Sequence, residues 1–177
     1  MKVDIIKLDE NTKHFLPHAQ QPFDVIGRFI PIYNGEKWSY KEKLCNENRQ
    51  KTYEDEVINP DDYIDNEEQA IFLAISGNVC VGSIRISTCW FGNAYIEDVS
   101  IDAQCRHLGV GRSLMDGAVN WCKERQFSGI ALETQDNNLQ ACRFYTKYGF
   151  KLCGINTQKY ALTRYKDETA LYFYYSL

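Results

Sequence analysis

Apolar and polar positions change period several times along this chain, and each change marks an element. Val3 to Leu8 predicts an opening strand. From there to about residue 50 aromatic residues mix with Pro17, Pro22 and Pro31, which predicts short helices joined by loops. Ala70 to Ser76 is a nearly continuous apolar strand. Ser76-Gly77-Asn78 makes a tight turn, and Val79 to Trp90 returns as a second strand. Phe91-Gly92-Asn93 turns again into Ala94 to Ile101, giving an antiparallel meander. The period then switches to helical: Leu114, Met115, Ala118, Val119 and Cys122 form one stripe on a helix from Gly111 to Arg125. Gly129 to Thr134 reads as a strand that would run parallel beside Ala94–Ile101 after a right-handed crossover. A short helix follows, then a strand from Phe150 and a final aromatic strand from Thr169 to Tyr175. The expected architecture is a single α/β domain over residues 1–177, with a mixed, mostly antiparallel sheet flanked by helices.

Between the third meander strand and the long helix lies Arg106-His107-Leu108-Gly109-Val110-Gly111-Arg112-Ser113. A glycine turn at a helix N-terminus presents unpaired N–H groups at the positive end of the macrodipole, a cradle for phosphate. Gly109 and Gly111 admit close approach of a ligand, and Arg106 and Arg112 add charge. A nucleotide P-loop would need Gly-Lys-Ser/Thr, but Arg112 follows Gly111. A dinucleotide fold would need a third glycine where Leu114 stands.

The Arg-x-x-Gly-x-Gly turn resembles that of the GNAT superfamily of N-acyltransferases. A second segment, Asn138-Leu139-Gln140-Ala141-Cys142-Arg143-Phe144-Tyr145-Thr146-Lys147-Tyr148-Gly149-Phe150, is similar to the family's Asn-x-x-Ala-x-x-Phe-Tyr-x-x-x-Gly-Phe. Taken alone it is a capped short helix with Gly149 as its left-handed stop. The resemblance implies acetyl-CoA as cofactor and a splayed parallel strand pair, here Ala94–Ile101 and Gly129–Thr134, that admits the thioester. The backbone of Val99, Ser100 and Ile101 would then hold the pantetheine arm. The N–H groups of His107, Leu108, Gly109, Val110, Gly111, Arg112 and Ser113 would hold the pyrophosphate. A free N–H near Val99 would serve the oxyanion. Tyr145 matches the tyrosine that protonates the leaving thiolate, with neighbouring Phe144 expected in the core. Asn138 matches an asparagine beside the cofactor arm, helix capping being its other use. His107 and Leu108 depart from the family, which often carries Gly and a small or basic residue there.

An amine acceptor must also lose a proton. Glu97 and Asp98 lie on the strand that leads to the thioester, where a carboxylate is unusual. Strict alternation puts them on opposite faces, with Glu97 sharing its face with Tyr95 and Val99. Glu97 is preferred as base and Glu133 is its rival; either is equally suited to a structural salt bridge.

Composition narrows the partners. A net charge of −4 and a pI near 5.4 argue against nucleic acid and suit a small cationic substrate. Tyr53 to Glu68 carries Glu54, Asp55, Glu56, Asp61, Asp62, Asp65, Glu67 and Glu68. Such a run is most often a solvated face, and otherwise an acidic rim for a polyamine-like substrate, with Asp65 its named candidate. No apolar run approaches the ~18–20 residues of a membrane span. Seven scattered cysteines without a Cys-x-x-Cys pair fit free thiols in a reducing cytoplasm. His14, His18 and His107 do not join them at zinc-site spacing, so no metal is expected.

Within the superfamily the chain resembles the streptothricin acetyltransferases. That likeness rests on Pro22-Phe23-Asp24-Val25-Ile26-Gly27-Arg28, Trp38-Ser39, Tyr63-Ile64-Asp65-Asn66, Tyr95-Ile96-Glu97-Asp98, Leu132-Glu133-Thr134-Gln135-Asp136-Asn137-Asn138 and Leu171-Tyr172-Phe173-Tyr174-Tyr175. It implies acetylation of an amine on the β-lysine arm of streptothricin, and so antibiotic resistance. A GNAT enzyme for another primary amine (aminoglycoside, polyamine, protein lysine or N-terminus) and a non-catalytic acyl-CoA-binding module are the other readings. A homodimer is compatible with all three.

Overall fold

The computed structural model describes residues 1–16, 21–54 and 56–177, so Pro17, His18 and Asp55 lie outside the described residues. The strands and helices, in chain order, are β1 (Asp4–Lys7), β2 (Phe23–Tyr33), β3 (Trp38–Lys51), β4 (Gln69–Ser76), β5 (Val79–Cys89), β6 (Asn93–Ile101), α1 (Val110–Glu124), β7 (Gly129–Gln135), α2 (Leu139–Tyr148), β8 (Lys151–Asn156) and β9 (Ala170–Ser176). The chain forms two compact units. The first comprises residues 1–22, 52–130 and 177; the second comprises 23–51 and 131–176.

In the first unit β1, β4, β5 and β6 lie side by side, each antiparallel to the next. Every residue of β5 from Val81 to Ile86 is buried, so this strand is covered on both faces. One face carries Phe72, Ile84 and Ile86 and packs on α1, where Leu114, Met115, Ala118 and Cys122 are fully buried. The helix buries Trp121 as well, which the apolar stripe in the sequence did not include. On the opposite face Ile71 and Leu73 join Leu8, Leu16, Tyr63 and Ile75 in a separate apolar cluster. Among the described residues no helix is long and apolar enough to cross a membrane.

The second unit corrects the reading of residues 23–51. They form a long antiparallel hairpin, β2–β3, rather than short helices. Val25, Gly27 and Phe29 alternate inward, and the Asn34-Gly35 turn, with Gly35 at φ +95°, joins the strands. The Asn34 side chain caps that turn by accepting from the N–H groups of Glu36 and Lys37. Two features hid the hairpin. Pro31 is tolerated because β2 belongs to a two-stranded sheet, where one edge donates no ladder bonds. β3 is almost entirely exposed and so shows no apolar alternation. The remaining strands run β7-β9-β8, and α2 buries Leu139, Cys142 and Tyr145 one turn apart. Gly149, at φ +123°, ends α2 as its sequence position implies.

Asp136, 5% exposed, holds this unit together. Its carboxylate accepts from Arg28 at 2.6 Å and from the Thr169 amide at 2.9 Å, while its carbonyl accepts from the Phe29 amide. β2 is thereby fastened to the end of β7 at the point where α2 begins.

Gly27 tests how tightly the hairpin is seated. A Cβ there would stand 2.6 Å from the Lys43 carbonyl oxygen and 3.0 Å from Leu139 Cδ2. Gly27→Ala is expected to destabilise the protein by about 1–3 kcal/mol, the usual cost of overpacking. Denaturant titration read against wild type measures it.

Candidate functional site

Glu97 occupies an irregularity in the sheet. Ile86 of β5 pairs with Ile96, but the preceding residue, Arg85, pairs with Asp98, so Glu97 is an extra residue in β6. This β-bulge inverts the strand's parity. Val99 now pairs with Ile84 on the face of Ile86 and Ile96, while Asp98 pairs with Arg85 on the other. Glu97 therefore shares a side with Tyr95, as alternation implies, but not with Val99. Glu97 and Asp98 instead come to the same side, that of the Tyr63 cluster.

Arg85 sits at the centre of that group with its side chain 8% exposed. It pairs with Glu56 and lies 4.0 Å from Glu97 Oε2. The Tyr63 phenol donates to the same oxygen at 2.9 Å. Burial first, and then this bond to Glu97, pushes the phenol above its ordinary value of 10. Neither Tyr63 nor Arg85 was singled out for chemistry in the sequence. The signal for Arg85 was a lone charge within the apolar run Val81-Gly82-Ser83-Ile84-Arg85-Ile86.

Beyond the bulge, β6 runs into the glycine turn. Arg106 Nε donates to the Ile101 carbonyl at 3.2 Å, bracing the corner. His107 adopts φ +62° and Gly109 φ +91°, the latter as N-cap of α1 without a side-chain cap. The Ser113 amide is committed to the Gly109 carbonyl at 3.1 Å, so among the described residues the helix's open donors lie ahead of it, at Val110 and Gly111. An ideal Cβ at Gly109 would meet no atom within 4 Å, so the backbone there is open to a ligand. The Arg112 side chain is 71% exposed, 4.0 Å from Asp116. The turn has the chemistry of an anion cradle.

Asp65, exposed and at φ +50°, lines an open cleft of about 540 Å³ with Asp61, Asp62 and Glu67. Asp61 is already paired with Lys13 at 2.9 Å.

The other candidates lie in the second unit. Glu133 is engaged at both oxygens: Oε1 accepts from the Tyr160 phenol at 2.6 Å, and Oε2 pairs with Lys159. Asn138 is the N-cap of α2 and accepts from the Ala141 amide at 3.2 Å, the capping use of that residue. Tyr145 is 8% exposed and packs against Phe144, Phe150 and Phe173. Phe144 is only half-buried, which reverses the expectation that it is the core member of the pair.

Comparison with known proteins shows the family and the fold. Residues 33–150 match the Acetyltransferase (GNAT) family. Streptothricin acetyltransferase A of Bacillus subtilis (strain 168) is 38% identical over 155 residues, 88% of this chain and 89% of that protein. The crystal structure of a candidate streptothricin acetyltransferase from Bacillus anthracis, in complex with acetyl coenzyme A, superposes with a TM-score of 0.89. It is 33% identical and covers 100% of this chain and 99% of its own. The crystal structure of nourseothricin acetyltransferase, 23% identical with 98% of each chain covered, shares the fold at a TM-score of 0.81.

Burial first, and then the bond to Glu133, raises the Tyr160 phenol well above its ordinary value of 10. Above about pH 10 the unfolded chain has released this proton while the folded chain still holds it, so stability falls with rising pH. Tyr160→Phe removes that contribution. Urea midpoints at about pH 9 and about pH 11 are expected to fall less steeply for the variant than for wild type.

Proposed function

Because the chain belongs to the GNAT acetyltransferase family, with its mixed, mainly antiparallel sheet flanked by helices, we propose that it transfers acetyl from acetyl-CoA to an amine on the β-lysine arm of streptothricin. One observation carries the reading: the bulge that presents Glu97 and Asp98 on one side of β6 is followed, on the same strand, by the open glycine turn of α1. An acid for a cationic amine and a cradle for a diphosphate thus stand on one continuous segment. The backbone donors at Val110 and Gly111, with no Cβ obstructing Gly109, fit the pyrophosphate of coenzyme A. When bound, acetyl-CoA supplies the acetyl group as an activated thioester.

The chain's own residues have three tasks. Glu97 accepts the proton that the substrate ammonium must lose, with Asp98 adding negative charge beside it. A backbone N–H near Val99 donates to the developing oxyanion. Tyr145 returns a proton to the departing thiolate through its phenol, and Asn138 fixes the helix that carries it. Val99, Ser100 and Ile101 hold the pantetheine arm, and Arg106, His107 and Leu108 complete the phosphate turn. Asp65 and its acidic neighbours draw a polycation toward the protein. The cysteines, whose thiols are unbridged, suit a cytoplasmic setting. A second reading, a GNAT enzyme for another primary amine, rests on the same acids, which recognise charge rather than one antibiotic.

Acetyl-CoA turnover with streptothricin, aminoglycosides, polyamines and peptides, followed by thiol release, separates the readings. Glu97→Gln is expected to lower kcat/KM for streptothricin, most severely at low pH where more amine is protonated, and to leave acetyl-CoA binding unchanged. If Glu133→Gln loses activity while Glu97→Gln does not, the base moves to Glu133.

Tyr145→Phe keeps the ring and its packing but removes the proton. Turnover is expected to fall, by up to the ~10²–10⁴-fold typical of a general acid, at nearly unchanged cofactor affinity. Full activity in single-turnover measurements would make Tyr145 a packing residue.

A further inference from the structure

Tyr63 lies at the end of a short 3-10 turn (Pro60–Tyr63), far in sequence from the strand that carries Glu97. Its ring belongs to the apolar cluster with Leu8, Ile71 and Leu73, and the residue is 7% exposed. The hydroxyl nevertheless emerges from this cluster to donate to Glu97 Oε2 at 2.9 Å. Arg85, anchored in the covered strand β5 and paired with Glu56, approaches the same oxygen at 4.0 Å. Both contacts converge on Oε2, and among the described residues none is made to Oε1.

A bulged residue lacks the ladder pairing that would orient it, so Glu97 depends on side-chain partners for its position. We propose that Tyr63, with Arg85 behind it, is a positioning residue for the transfer. The pair holds Glu97 by Oε2, which keeps the carboxylate on one rotamer and turns Oε1 toward the acceptor ammonium. The inference rests on the assignment of Glu97 made above and deepens it. It gives an apolar cluster a role in catalysis: the rigid ring of Tyr63 transmits the cluster's fixed geometry to an otherwise mobile acid on a bulge.

Tyr63→Phe keeps the buried ring and deletes the one hydroxyl at issue. With streptothricin, or else with whichever amine of the panel is turned over fastest, kcat/KM is expected to fall roughly tenfold, the scale of one hydrogen bond to a charged group. KM for acetyl-CoA should stay at its wild-type value, and the thermal midpoint should fall by no more than the loss of one hydrogen bond explains. A general loosening of the cluster would lower the midpoint further and weaken cofactor affinity as well. In a Glu97→Ala background, where the acceptor is gone, Tyr63→Phe should cause no further loss. Arg85→Lys retains the charge but not the planar fork and should reproduce the amine-specific loss. Wild-type kcat/KM in Tyr63→Phe, or an equal fractional loss with and without Glu97, overturns the positioning role and leaves Glu97 in place. Full activity in Glu97→Ala overturns the assignment of Glu97 and this inference with it.

Discussion

The register shift at Glu97 is the constraint on which the first unit depends. Ala94 and Ile96 must face α1, and so must Val99 and Ile101 further along, because their partners Ile84 and Gly82 point there. Strict alternation cannot satisfy both pairs, since position 96 and position 99 have opposite parity. Inserting one residue resolves the conflict. It also places an acid where no ladder partner exists and brings Asp98 opposite Arg85. The packing requirement of the helix-facing side and the clustering of charge on the other side are therefore one structural event, and the charge cluster needs no separate explanation.

A buried arginine beside an apolar cluster is costly unless its charge is answered. Here Glu56, Glu97 and Asp98 surround Arg85, and the exposed Glu56 closes the group from the solvent side. In the second unit Asp136 plays the corresponding part, meeting Arg28 and the Thr169 amide. Both buried charges sit where a strand leaves regular pairing. In each case, directional bonds to a buried charge hold a segment that the backbone ladder does not.

How much of this was legible in the sequence follows from which signals are local. The meander, α1, α2 and the Gly149 stop were readable because apolar periodicity and turn residues act within a few positions. The β2–β3 hairpin was not: its partner strand is exposed and polar, and Pro17, Pro22 and Pro31 pointed to loops although Asn34-Gly35 marked a hairpin turn. The glycine turn was legible for the same local reason, although the left-handed conformation of Gly109 was not part of that reading. The surroundings of the acids were not. Tyr63 and Glu97 are 34 residues apart, and only the fold brings them together. The bulge was likewise hidden, because a single inserted residue leaves no compositional trace.

The two rival acids are separated by their surroundings rather than by their chemistry. Glu133 is closed at both oxygens, one by a phenol and one by an ammonium, and its side chain is 9% exposed. For a substrate ammonium to bind there, at least one charge-assisted bond must break, at a cost of about 1.5–3 kcal/mol each. The arriving amine would only restore what was lost. Glu97 begins from a different state. Its partners share one oxygen, its side chain is 27% exposed, and Asp98 stands beside it. An ammonium approaching the second oxygen adds a bond without displacing one. The same type of side chain is thus engaged at both oxygens in one unit and at one oxygen in the other, which is the difference on which the choice of Glu97 rests.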